Sequence, residues 1–283
     1  MAEPRKDHFA IAGAGFGLFL WLCAPAAAAD LTATVPGHKG LTYFDLMRRV
    51  VPDLRLSGKG DATGHKTVPL QHIEGKDSKI VLPETITLSY VEAMSIPGDD
   101  SRIVLLADLG QSEESAASAS VLALFTLKSG VKLLDTKEVG TDRFTGFRAG
   151  QPQMLAKATP LILIDSSHFN SDQNYNSTEM IFIRDNRFRL IDSVFTFRDS
   201  SCSYTRTQEP RFTLRPAPNP YSAVDVVVTE HVELTKLDCG NEEPPPAKDT
   251  TYAATYRWDA AQQRFVTSSK ALQELFEEDR KRF

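Results

Sequence analysis

Two stretches of this chain repeat one another, and the repeat is what most restricts the fold. Residues 103–135, IVLLADLGQSEESAASASVLALFTLKSGVKLLD, align without a gap on residues 160–192, PLILIDSSHFNSDQNYNSTEMIFIRDNRFRLID, at a shift of 57 residues (103 to 160). Leu106 falls on Leu163, Asp108 on Asp165, Ser120 on Ser177, Phe125 on Phe182, Leu133 on Leu190 and Asp135 on Asp192. Each copy reads as an apolar strand closing on Asp, a polar loop of roughly a dozen residues, then two apolar strands around a tight turn. Such a unit buries its sheet faces only against a neighbour, so the copies are expected to stack.

A third copy follows with longer loops. AVDVVVTEHV at 223–232 supplies its first strand and YAATYRWDAAQQRFVT at 252–267 its closing hairpin, with the proline run NEEPPPAKD at 241–249 between them as an exposed extended loop. A further strand precedes each copy, at 85–96, 143–156 and 211–214. Lys128-Ser129-Gly130 and Asp185-Asn186-Arg187 sit between apolar runs and tolerate the positive φ of hairpin turns. Runs such as VFTF at 194–197 and DVVV at 225–228 are β-branched and aromatic. The reading is all-β: tandem four-stranded antiparallel units at about 80–140, 141–200 and 205–268, forming an incomplete propeller-like stack or a β-sandwich, since a closed propeller needs at least about four blades. A short N-terminal helix is expected within residues 30–79, over 41–51 with Phe44, Met47, Val50 and Val51 on one face and Pro52 as its stop. A C-terminal helix over 269–283 would take Ser269 as N-cap and bury Leu272, Leu275 and Phe276, leaving the charged end at 277–282 solvated.

The first 29 residues read as an export signal. Arg5 and Lys6 precede an uncharged run at 9–23, then Pro25 and the alanines 26–29 lead to Asp30, with cleavage expected after Ala29 by the Sec route. An uncleaved anchor is the alternative, because residues 9–29 just reach the length of a membrane span. Removal would leave 283 − 29 = 254 residues, enough for one large domain or two small ones, and a chain with no further transmembrane segment in the periplasm or outside the cell. In that oxidising setting the two remaining cysteines, Cys202 and Cys239, form one structural disulfide. Glu3 and Asp7 cancel Arg5 and Lys6, so the mature part keeps the formal charge of −5 and offers no electrostatic footprint for nucleic acid.

Chemistry-bearing motifs are sparse. GKGDATGHKT at 58–67 has His65 between Gly64 and Lys66 and therefore lacks the phosphate-loop spacing. There is no G-x-S-x-G, and the histidines at 8, 38, 65, 72, 168 and 231 show no zinc spacing. Asp108, Asp165, Asp135 and Asp192 occupy equivalent repeat positions, which suits strand-end hydrogen bonding better than acid/base work.

One segment concentrates polar groups: DSSHFNSDQNYN at 165–176, whose counterpart in the first copy is QSEESAASAS. The candidate ligand-contact residues are Asp165, His168, Phe169, Asn170, Asp172 and Asn174, on what reads as a loop held by a rigid sheet. Asn170, Asp172, Asn174 and Asn176 alternate like the oxygen ligands of a calcium loop, although Tyr175 stands where that loop needs glycine. No cofactor is implied. Three functions remain open: a non-catalytic exported protein binding a protein or envelope component through its sheet loops, a periplasmic hydrolase built around Asp165, Ser167 and His168, or a binder of a small ligand or carbohydrate.

Overall fold

The computed structural model describes residues 26–58, 60–78, 80–112, 117–150, 152–217, 220–237, 239 and 243–282. The proposed export segment up to Pro25 therefore lies outside the described residues, as does part of the proline-rich stretch at 241–249. Strands take 57% of the chain and helices 6%, all strand pairs within the sheets are antiparallel, and the all-β class holds.

The N-terminal part contains β1 (Ala27–Asp30), α1 (Tyr43–Met47), β2 (Arg55–Leu56), β3 (Ala62–Gly64), β4 (Ile86–Leu88), β5 (Tyr90–Ile96), β6 (Asp99–Gln111), β7 (Ser118–Thr126) and β8 (Lys132–Glu138). There follow β9 (Phe144–Phe147), β10 (Gln153–Ala156), β11 (Thr159–Asn170), β12 (Gln173–Arg184), β13 (Arg187–Ser200), β14 (Tyr204–Arg215), β15 (Ala223–Leu234), β16 (Lys248–Asp259), β17 (Arg264–Val266) and α2 (Ala271–Asp279). The first sheet runs β1-β5-β6-β7-β8, and a small sheet β2-β3-β4 lies beside it. The large sheet runs β10-β11-β12-β13-β14-β15-β16-β17, with β9 also pairing β11.

Alternation along each strand sends successive side chains to opposite faces, and here both faces are buried. In β6, Ile103, Leu105 and Ala107 join α1 and the N-terminal segments in one core, while Val104 and Leu106 face the other way. These meet Ile162 and Ile164 of β11 with Ile181 and Ile183 of β12 in a second core. The opposite faces of those two strands, Leu161, Leu163, Met180 and Phe182, pack on Phe212, Val224, Val226, Val228, Tyr256 and Trp258 in a third. Continuous runs such as LILI and MIFI follow from this double burial. The large sheet folds over at β13–β14, where pairing is confined to Asp199↔Arg206 and Ser200↔Thr205. The result is three stacked antiparallel segments with α1 at one end and α2 against β13 and β16.

Local differences from the sequence reading have identifiable causes. The polar stretch 165–176 is not a long loop: β11 continues to Asn170, β12 starts at Gln173, and Ser171, at φ 50°, turns the hairpin with Asp172. Polarity there marks a hairpin that outruns the apolar cores, with its backbone still fully paired. α1 is only five residues long, with Thr42 as its N-cap in a reciprocal capping box with Asp45. Lys270, not Ser269, is the N-cap of α2, although the Ser269 hydroxyl accepts from the Ala271 N–H at 3.3 Å. Phe276 stays 38% exposed. The charged end of α2 is not solvated throughout: Asp279 is fully buried because it covers Gln208 and Glu230 on β14 and β15. The cysteine expectation holds, with Cys202 bonded to Cys239 and the Cα atoms 5.7 Å apart.

Candidate binding groove

Register decides which groups of the 165–176 stretch act together. Asp165 pairs with Thr178, Ser167 with Asn176 and Phe169 with Asn174, so these share one face; Ser166, His168 and Asn170 share the other with Ser177, Tyr175 and Gln173. The hydrolase arrangement of Asp165, Ser167 and His168 is therefore split across the sheet. His168 meets a different acid: its Nδ1 lies 2.5 Å from Asp142 Oδ2, and its ring stacks on Tyr175 at 4.6 Å. Of the two serines sharing that face, Ser166 is fully buried and bonded to Thr145, and the Ser177 hydroxyl is engaged with Ser193 and the Glu179 carboxylate. The calcium set is divided in the same way, with Asn170 opposite Asn174 and Asn176 and Asp172 in the turn. Among the described residues no group of three or more His, Cys, Asp or Glu gathers as a metal site.

Asp142 reaches His168 because the backbone of residues 140–142 runs hard against β7. A Cβ on Gly140 would lie 2.0 Å from the Ser118 carbonyl oxygen, so only glycine fits there, and the Ser118 N–H donates to the Asp142 carbonyl at 2.9 Å.

The face carrying Asp165 forms a groove of about 270 Å³ where the large sheet bends, lined among others by Arg148, Ser167, Asn174, Asn176, Thr196 and Arg198. Its floor is rigid. Arg148 Nε donates to both Asp165 oxygens at 3.2 and 3.1 Å, Nη2 to Thr178 Oγ1 at 3.2 Å and Nη1 to the Pro210 carbonyl at 3.1 Å, while the guanidinium lies 4.9 Å over the Phe212 ring. Asp165 is thus an orienting acceptor beneath the groove rather than a contact in it. Arg198, paired with Asn174 across β12–β13, is exposed and takes part in no ion pair among the described residues. Phe169 stands on the same face with 64% of its surface exposed.

Behind the groove, Gln208 joins it to a buried charged cluster. Its Oε1 accepts from the Phe197 N–H at 2.8 Å, and its Nε2 donates to Glu230 Oε2 and Asp279 Oδ1, each at 2.8 Å. Arg282 donates to both carboxylates at 2.7 Å, and Arg206 pairs with Asp199 at 3.1 Å. Burial pushes the Asp279 carboxyl up to about 6, whereas Glu230, despite its own burial, is held low by its bonds from Gln208 and Arg282.

The strand-end aspartates all serve as acceptors. Asp108 takes the Gly110 N–H at 2.8 Å, Asp135 the Phe188 N–H at 2.8 Å and Asp192 the Tyr256 hydroxyl at 2.6 Å. The segment resembling a phosphate loop forms β3, and the His65 and Lys66 N–H groups donate to the Asp53 carboxylate. Sequence reasoning missed Arg148, Thr196, Arg198 and Gln208. Once β13 and β14 are given extended backbone, alternation marks Thr196 and Arg198 as one face, but Arg148 arrives only through the pairing of β9 with β11 and Gln208 only through the bend in the sheet.

Comparison with known proteins gives no match: no protein-family model, no curated protein and no solved structure is similar to the chain.

Proposed function

We propose that the protein is an exported, non-catalytic binding protein that holds a polar protein or envelope component in the groove at the bend of the large sheet. The observation that carries this reading is the convergence of Ser167, Asn174, Asn176, Thr196 and Arg198, from three strands, around an immobilised Arg148. Amides, hydroxyls and guanidinium groups on a rigid sheet supply directional donors and acceptors at little ordering cost. The residues supporting export are the charged, apolar and alanine segments before Asp30, and a disulfide suits an oxidising compartment. A carbohydrate ligand is the second reading, favoured by the exposed Phe169 ring beside Asn174, which offers a flat apolar surface next to amide groups.

The test is binding of purified protein to fractionated envelope components, compared with an Asn174→Ala, Arg198→Ala variant. Binding should fall at least about tenfold while stability stays within about 0.5 kcal/mol, because neither side chain is buried. Undiminished binding by the variant, or no component bound by the unaltered protein, would refute the groove as the site.

A further inference from the structure

The other end of the β12–β13 pair, ten residues along β12 (174 to 184) and about 30 Å from the groove, forms a second recess. This cleft has a volume of about 620 Å³, and its charged lining consists of Lys137, Arg184, Arg189 and Arg264 against Glu74 and Asp185. Four cations and two carboxylates leave an excess of 4 − 2 = 2 positive charges, in a chain whose formal net charge is −5. Both carboxylates already have cations of their own. Lys76 Nζ lies 2.6 Å from Glu74, and Arg184 Nε lies 3.4 Å from Asp185.

The remaining cations have neutral partners. Lys137 Nζ donates to Gln71 Oε1 at 3.0 Å and Arg264 Nε to Gln262 Oε1 at 2.9 Å, while Arg189 is exposed; none of the three belongs to an ion pair among the described residues. Arg184 is oriented as well as charged, with its guanidinium 4.9 Å over the Trp258 ring and an Nη1 bond to the Gln263 carbonyl at 3.3 Å. Phe182 lies on one face of the β12–β13 pair and Phe188 with Leu190 on the other, so the cleft takes in both faces at the end of the pair. Guanidinium forks match both carboxylate and phosphate oxygens.

We propose that this cleft binds a small polyanion carrying two or more phosphate or carboxylate groups. The exposed guanidinium groups of Arg189 and Arg264 supply the forks and Lys137 a third charge, while Arg184, whose nitrogens are already taken by Asp185 and Gln263, fixes the rim of the cleft. The site is independent of the groove, shares none of its lining residues and does not rest on the function proposed for it.

Isothermal titration with inorganic pyrophosphate and with citrate, at constant ionic strength, separates the phosphate and carboxylate versions. At least one should bind with a dissociation constant below about 1 mM. Arg189→Ala combined with Arg264→Ala should weaken that binding at least about tenfold, since each removes a charge-assisted contact. The two side chains are exposed, so the fold is retained; Arg189→Lys with Arg264→Lys should restore part of the affinity, and Asn174→Ala with Arg198→Ala in the distant groove should leave it unchanged. Failure of both anions to bind, or equal binding by the double alanine variant, overturns the proposal. So does an equal loss in the groove variant.

Discussion

Glu179 is 3% exposed, and its carboxylate receives the hydroxyls of Ser193 at 3.0 Å and Ser177 at 3.4 Å. Desolvation outweighs these bonds and pushes the group up to about 7. The folded protein therefore holds this proton over a pH range in which the unfolded chain has released it, so the contribution of Glu179 to stability is full below about 4.5 and is lost as pH rises through about 7. Asp279, pushed up to about 6, adds a decline of the same sign at lower pH. Glu179→Gln keeps an oxygen for the two serines and removes the charge. Urea denaturation at a series of pH values should show that the variant loses the upper part of the slope and is more stable than the parent by a few kcal/mol at pH 8. An unchanged slope would mean that water reaches the carboxylate. The repeat alignment gave no warning of this residue: Glu179 aligns on Leu122 (179 − 57 = 122), an apolar core position, and only its neighbours in three dimensions set its charge state.

At the scale of elements, strand identity was legible wherever two-sided burial imposes uninterrupted apolar runs, as in β6, β7, β11 and β12. It failed beyond the cores, because a paired hairpin in solvent and a loop have the same polar composition; β11–β12 over residues 165–176 is the example. The candidate site suffered from the same ambiguity. Treating the stretch as a loop grouped Asp165 with His168 and Asn170 with Asn174, whereas strand alternation puts each pair on opposite faces. The cysteine pair was readable because the proposed export signal leaves two thiols, and two thiols in an oxidising compartment have few alternatives to one disulfide. Cys202–Cys239 ties the start of β14 to the segment after β15, at a separation of 37 residues. Cys202→Ser with Cys239→Ser should lower unfolding free energy by roughly 4 kcal/mol on the chain-entropy argument, measured by chemical denaturation without reductant. A loss below about 1 kcal/mol would show that β14–β15 pairing, which runs from Tyr204↔Leu234 to Arg215↔Ala223, persists in the unfolded chain and holds that loop closed without the disulfide.

For the whole molecule, three stacked sheet segments leave an edge whose fate depends on export. Ala27, Ala28 and Ala29 of β1 pair with Ala93, Glu92 and Val91 of β5, and cleavage after Ala29 would remove all three from the first sheet, leaving Asp30 opposite Tyr90. The proposed signal predicts a mature N-terminus at Asp30 and recovery in the soluble periplasmic or extracellular fraction, read by intact mass and N-terminal sequencing. A mature start at or before Ala26 would keep β1 in place and refute that cleavage position; an intact 9–29 segment in the membrane fraction would refute cleavage itself. Tandem strands, the two flanking helices and the disulfide pair follow from residue type and spacing, since periodicity and turn chemistry act over a few neighbours. The groove and the cationic cleft do not. Arg148 comes under Asp165 because β9 pairs with β11, Gln208 reaches Phe197 because the sheet folds at two residue pairs, and Arg264 joins Arg189 across 75 residues (189 to 264). Such meetings depend on how faces stack, a long-range outcome that local pattern does not encode.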